Sequence, residues 1–207
     1  TSGSFSSRIL ENSIFGDGGD AIFTEISKYY LLGFLNSKVN RYIIKVLNPT
    51  LNTTISDLKR LPIARKNKEI EDNIRRRARV FPFYACPDQR SWNFNGSPLI
   101  GEGQIPLSNS KLSEHYNELR HNYDKLINET KYHESKINLF FLNLYGLNNE
   151  LIPEIPLSEI TLGCNPFFLY SSDYSKDEIE ERFLKDNIKD LISFSLGCIL
   201  GRYSLDK

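Results

Sequence analysis

Ten residues spaced alternately four and three apart constrain this chain more than any other feature: Leu112, Tyr116, Leu119, Tyr123, Leu126, Thr130, His133, Ile137, Phe140 and Leu144. That spacing is a heptad seam, an apolar line along one side of a helix. Continuous from Lys111 to Tyr145, the helix is roughly 50 Å long at 1.5 Å per residue and needs a partner along its length. Thr130 and His133 interrupt the line, marking a bend or a change of partner, and Gly146 follows where a helix end favours glycine. Ser175 with Glu178 then forms a capping-box start, after which Ile179, Phe183, Ile188, Leu191, Ile192, Ile199 and Leu200 carry an apolar face to the end of the chain. This second helix is the expected antiparallel partner of the first. Leu147 to Ser172, between them, holds three prolines and short extended runs, and is expected to cross the surface.

Upstream, Leu31 to Ile63 packs two short helical patterns around a cap and a stop. Val39, Tyr42, Ile43, Val46 and Leu47 recur as one apolar face, which leaves Lys38, Arg41 and Lys45 on the other. Ser37 is placed to cap the first free N–H groups, and Pro49 pushes Asn48 out of helical geometry. A three-cation stripe suits a phosphate backbone, and a solvated surface stripe has the same signature. Further along, Lys59 to Arg79 holds nine basic residues against three acidic ones. Ile70, Ile74 and Ala78 there make a narrow apolar stripe, around which Arg75, Arg76, Arg77 and Arg79 fan from a short helix. Such guanidinium groups suit phosphates and bidentate pairing with guanine; a solvated helix facing acidic neighbours elsewhere in a longer protein fits equally.

These clusters matter because the whole molecule is electrically balanced, with 26 Lys plus Arg against 26 Asp plus Glu, so any claim on nucleic acid must be local. The 207 residues, 40% hydrophobic, suffice for one large or two small domains. Cys86, Cys164 and Cys198 are odd in number and far apart, which argues against disulfides and zinc and for reduced thiols in a cytosolic protein. No apolar run approaches the roughly twenty residues of a membrane span. The chain opens on Thr and lacks Met, so an excised fragment is expected. Near its start, Ile9-Leu10, Ile14-Phe15 and Ile22-Phe23 flank Gly16 to Asp20, which reads as two strands joined by a Gly-rich turn. Phe81 to Pro106 reads as an irregular connection in which Trp92 and Phe94 anchor to the core.

Little in the chain resembles catalytic machinery. Asn165-Pro166-Phe167-Phe168 approaches the [DNS]PP[YFW] loop with which adenine methyltransferases hold a flipped base, but Phe167 replaces the second proline and no Gly-rich cofactor loop precedes it. Asn48-Pro49-Thr50 departs further. His115, Glu118 and His121 lack metal-binding spacing. No catalytic, cofactor or metal residue is therefore assigned.

Four ordered segments resemble one family: LLGFLNSKVNRYIIKVLNPTLNTTISDLKRLPI (Leu31 to Ile63), RSWNF (Arg90 to Phe94), INLFFLNLYGLNNELIPEIPLSEITL (Ile137 to Leu162) and DLISFSLGCILGRYSLDK (Asp190 to Lys207). They are similar to the region after the catalytic domain in type IIG-like adenine-specific DNA methyltransferases, most of all the PglX methyltransferases of BREX phage-defence systems. The resemblance implies target recognition and scaffolding here, with S-adenosylmethionine bound elsewhere in the parent protein. The expected fold is α+β and helix-dominated: a small N-terminal sheet with short helices, then a long antiparallel helical hairpin. Residues 1–80 form an α/β recognition part, 81–110 the connection and 111–207 the hairpin scaffold. The expected partners are double-stranded DNA, contacted by Lys38, Arg41, Lys45, Arg75, Arg76, Arg77 and Arg79, the rest of the methyltransferase chain and other defence-system subunits, in the cytoplasm and away from membranes. The alternative is a helical protein-interaction module without DNA binding.

Overall fold

The computed structural model describes residues 5–9, 21–50, 53–64, 71–72, 74–75, 89, 94, 96–100, 111–170 and 173–202. Within them the elements are α1 (Lys28–Asn36), α2 (Lys38–Leu47), α3 (Ile55–Lys59), α4 (Leu112–Tyr145), a 3-10 turn (Leu157–Glu159), α5 (Pro166–Leu169) and α6 (Lys176–Ile199), with further helical residues at 71–72 and 74–75. None of these helices is long and apolar enough to cross a membrane. The molecule is helix-dominated, but the expected N-terminal sheet is absent: the described residues contain no strand.

The reason is visible at Ser7. Its N–H donates to Asn36 Oδ1 at 2.8 Å and its carbonyl accepts from Asn36 Nδ2 at 3.0 Å. One side-chain amide at the end of α1 thus takes the two backbone bonds that a neighbouring strand would otherwise supply. Ile22 and Phe23, read as part of the second strand, are exposed. Apolar residues in adjacent pairs cannot share one face of a strand, whose side chains alternate. The Gly16 to Asp20 turn lies outside the described residues.

The chain divides into two compact units, one of Thr1–Val80 with Tyr132–Ile155, the other of Phe81–Lys131 with Pro156–Lys207. The long helix α4 therefore gives its residues up to Lys131 to the second unit and those from Tyr132 to the first. The first unit has an aromatic centre. Tyr30 and Phe34 of α1, both fully buried, each meet Phe141 edge-on at 5.5 Å, and Tyr145 stacks on Phe34 at 5.6 Å. Leu31, Leu35, Val39, Ile44, Leu61, Ile74, Ile137 and Leu142 complete the core. Each such side chain contributes about 1.5–3 kcal/mol by leaving water. The Tyr145 hydroxyl also donates to the Pro62 carbonyl and accepts the Ala64 N–H at 3.0 Å, which fixes the chain that leads into the basic segment. Gly33 permits a close approach in this core: a Cβ there would lie 2.3 Å from Ile74 Cδ1.

In the second unit, Tyr123, Leu126 and Ile127 of α4 are buried, as are Ile160, Leu162, Cys164, Ile179 and Phe183. Burial pushes the Cys164 thiol up to about 11 and raises the Tyr123 phenol as well. Arg120 reaches Glu180 of α6 with two hydrogen bonds, at 2.8 and 2.7 Å, and Asp124 with a third at 2.6 Å. Ser175 caps α6 in the expected box with Glu178, and Gly146 ends α4 at φ +69°. Phe94 meets Phe194 edge-on at 5.7 Å, while Trp92 lies outside the described residues.

The hairpin needs correction. Arg120 pairs with Glu180, and Tyr123 packs on Phe183. These contacts advance along both helices in the same direction, opposite to the order that antiparallel helices require. They also involve only the first turns of α6; beyond them Ile192, Leu196, Ile199 and Leu200 are exposed. From Ile137 onward, α4 packs in the first unit, against α1. A 3.5-residue seam stays on one side only if the helix supercoils around a single partner. With two sets of partners α4 follows the 3.6-residue period, so Phe141, eighteen residues after Tyr123, faces the core, whereas Leu144 is exposed.

Candidate nucleic-acid interface

Helix α2 is held by its ends. Ser37 Oγ accepts the Asn40 N–H at 3.2 Å, and Asn138 Oδ1 of α4 accepts the Lys38 N–H at 3.0 Å. Asn138 also donates to the Pro153 carbonyl at 3.1 Å, joining α2 to the turn after α4. At the other end, Asp57 accepts from Asn48 Nδ2 at 2.7 Å, from the Thr54 N–H at 2.9 Å and from the Thr54 hydroxyl at 2.8 Å. The Asn48 amide, with help from Thr54, holds this carboxyl below the usual aspartate range.

The buried side of α2 is Val39, Asn40 and Ile44, with Ile43 and Leu47 partly covered. This is the expected apolar face turned by roughly 60° at 100° per residue. Asn40 drives the rotation: its amide donates to the Leu35 carbonyl at 2.6 Å, satisfying a group left free at the end of α1, and so it faces inward. Tyr42 and Val46, read from the sequence as buried, face solvent instead. The polar residue among apolar neighbours was the available signal, since its side chain can serve the preceding helix end.

The expected cations on α2 share the outer side but not one role. Lys45 is exposed and Arg41 half-buried. Lys38 donates its ammonium to the Glu154 carbonyl at 2.5 Å, bracing α2 against the turn. Tyr42 donates its hydroxyl to Glu150 at 2.9 Å, and the carboxylate pushes the phenol up. Of the arginine cluster, Arg75 lies 3.6 Å from Glu71 and 5.0 Å from the centre of the Tyr29 ring. Arg76, Arg77 and Arg79 lie outside the described residues.

Both Asn-Pro sequences are used structurally. Asn165 is fully buried; its amide donates to the Leu157 and Ile160 carbonyls at 2.7 and 2.8 Å while its oxygen accepts the Phe167 N–H at the start of α5. Asn48 Oδ1 accepts the Thr50 N–H at 3.0 Å. An asparagine that receives a substrate amine needs its oxygen free, and Asn165 has spent its own on a helix cap. Among the described residues no group of three or more His, Cys, Asp or Glu side chains is placed to hold a metal ion.

No protein-family model matches the chain. It is 31% identical over 209 residues to the adenine-specific methyltransferase BrxX of Escherichia coli O9:H4 (strain HS), a match that covers 98% of this chain and 16% of that protein. Over its whole length the chain is similar to one region of the PglX-type methyltransferases and spans about a sixth of theirs. The adenine-specific methyltransferase PglX of Lacticaseibacillus casei (strain Zhang) is 25% identical over 213 residues, covering 100% of this chain and again 16% of the relative. The matches run through the helices of both units, so the PglX-type resemblance is a property of the whole chain and not of one motif.

Proposed function

We propose that this PglX-type region supplies target recognition and scaffolding to an adenine-specific DNA methyltransferase of a BREX phage-defence system. The catalytic part, with its S-adenosylmethionine, belongs to the remainder of such a protein, which transfers the methyl group to N6 of adenine. Double-stranded DNA, the rest of the methyltransferase and other defence-system subunits are its partners, in the cytoplasm. The observation that carries the reading is the outer face of α2, which holds Arg41 and Lys45 opposite a buried face, on a helix without a single carboxylate.

The test is fluorescence anisotropy of the chain on random-sequence duplex between low and physiological salt. Each phosphate contact contributes about 0.9 to the slope of log K against log salt. Arg41→Glu with Lys45→Glu is expected to flatten the slope by about two, whereas Lys125→Glu with Lys131→Glu leaves it unchanged. Absence of salt-sensitive binding at low salt refutes the reading.

One observation favours a second reading, a helical interaction module. Ile192, Leu196, Ile199 and Leu200 present an exposed apolar stripe at helical spacing on α6. This reading predicts concentration-dependent association in sedimentation and no salt-sensitive affinity for DNA.

A further inference from the structure

The rotation of α2 gives its outer side two flanks of different chemistry. At 100° per residue, Arg41 and Lys45 project along one flank, and Tyr42 and Val46 lie roughly 100° round on the other. Val46 is 70% exposed and Tyr42 38%. Residues three and four apart are neighbours on a helix surface, so Tyr42 sits beside Lys45, and Val46 continues the apolar flank beside Tyr42. The major groove of DNA matches both halves: phosphates line its edges, and the thymine C5-methyl is the apolar feature on its floor.

Resting on the DNA-recognition reading above, we propose that α2 enters the major groove with Arg41 and Lys45 toward one phosphate strand and Val46 against a thymine methyl group. The chain thereby reads a T·A pair. The groove is about 12 Å wide, sufficient for one helix, and ten residues of α2 span roughly 15 Å, the length of about four base pairs. The helix approaches side-on. Two of its N-terminal N–H groups, those of Lys38 and Asn40, are already accepted by Asn138 and Ser37. Glu150 acts as a positioning residue by holding the Tyr42 hydroxyl, which fixes the ring beside Val46.

The experiment enriches duplexes with a random core on the chain, then measures an enriched duplex with its thymines intact or replaced by uracil. Losing one buried methyl is expected to weaken binding roughly fourfold, from about 0.8 kcal/mol per buried carbon. Val46→Ala is expected to bring thymine and uracil duplexes to within a factor of two while keeping the salt slope. Lys45→Gln is expected to lower the slope by about 0.9 and to preserve the thymine preference. Val46 is largely exposed, so Ala there is not expected to open a cavity, and unchanged circular dichroism checks that the variant folds. Salt-dependent binding with the same thymine-to-uracil ratio in wild type and Val46→Ala overturns the base contact and leaves DNA recognition standing. No salt-dependent binding to any duplex overturns both.

Discussion

Gly33→Ala tests how the basic segment is anchored. A Cβ at this position falls 2.3 Å from Ile74 Cδ1, 2.9 Å from Ile74 Cγ1 and 3.6 Å from Ile137 Cγ2. Carbon atoms rest at about 3.5–4.0 Å, so the tip of Ile74 must retreat by more than an ångström. Ile74 is only 2% exposed and has little room to do so. Overpacking of this kind costs about 1–3 kcal/mol, partly offset by the helix propensity gained when Ala replaces Gly, about 1 kcal/mol. The expected net loss is therefore up to about 2 kcal/mol, read as a lower urea midpoint with an unchanged slope. Ile74→Val removes the closest atom and alone costs about 0.5–1.5 kcal/mol. In the double variant the 2.3 Å contact is gone while Cγ1 at 2.9 Å still has to shift, so the two losses should fall short of additive by up to about 1 kcal/mol in a double-mutant cycle. Strict additivity would refute the packing argument. Arg75 adjoins Ile74, so the single Gly33→Ala change should also weaken any contribution of Arg75 to the salt slope.

Asn165→Ala should cost about 2–4 kcal/mol, because it removes the α5 cap and strands the buried Ile160 carbonyl and the partly buried Leu157 carbonyl. Asn165→Asp should not rescue it, since a carboxylate has no N–H to donate; near-wild-type melting in either variant would contradict the structural role. Arg120, by its hydrogen bonds, holds the Glu180 carboxyl below the ordinary glutamate value of 4.5. A depressed acid contributes stability that is present above 4.5 and lost as pH falls through its folded value, so Glu180→Gln should flatten the acid limb of the stability profile. Cys164, buried and raised to about 11, should resist alkylation at pH 8 far longer than the half-buried Cys198, as mass spectrometry of the labelled peptides would show. Its stability contribution is complete below the ordinary thiol value of 9.0 and is lost as pH rises toward 11.

Local chemistry was legible in the sequence. The Ser37 and Ser175 caps, the stop before Pro49 and the Gly146 terminus all occur where the residues place them, because each depends on atoms within a few positions along the chain. The heptad line announced one long helix correctly and misassigned its partners. Periodicity measures which residues turn to one side of a helix, and contains nothing about what lies there or in which direction it runs. Tertiary structure decided those points. It gave the far end of α4 to α1, turned α2 so that Asn40 faces inward and Val46 outward, and used the Asn36 amide where a strand was expected. The physical reasons differ: Phe141 leaves water by packing between Tyr30 and Phe34, about a hundred residues away in sequence, while the Asn36 and Asn40 amides serve backbone groups that the helices and the N-terminal segment leave free.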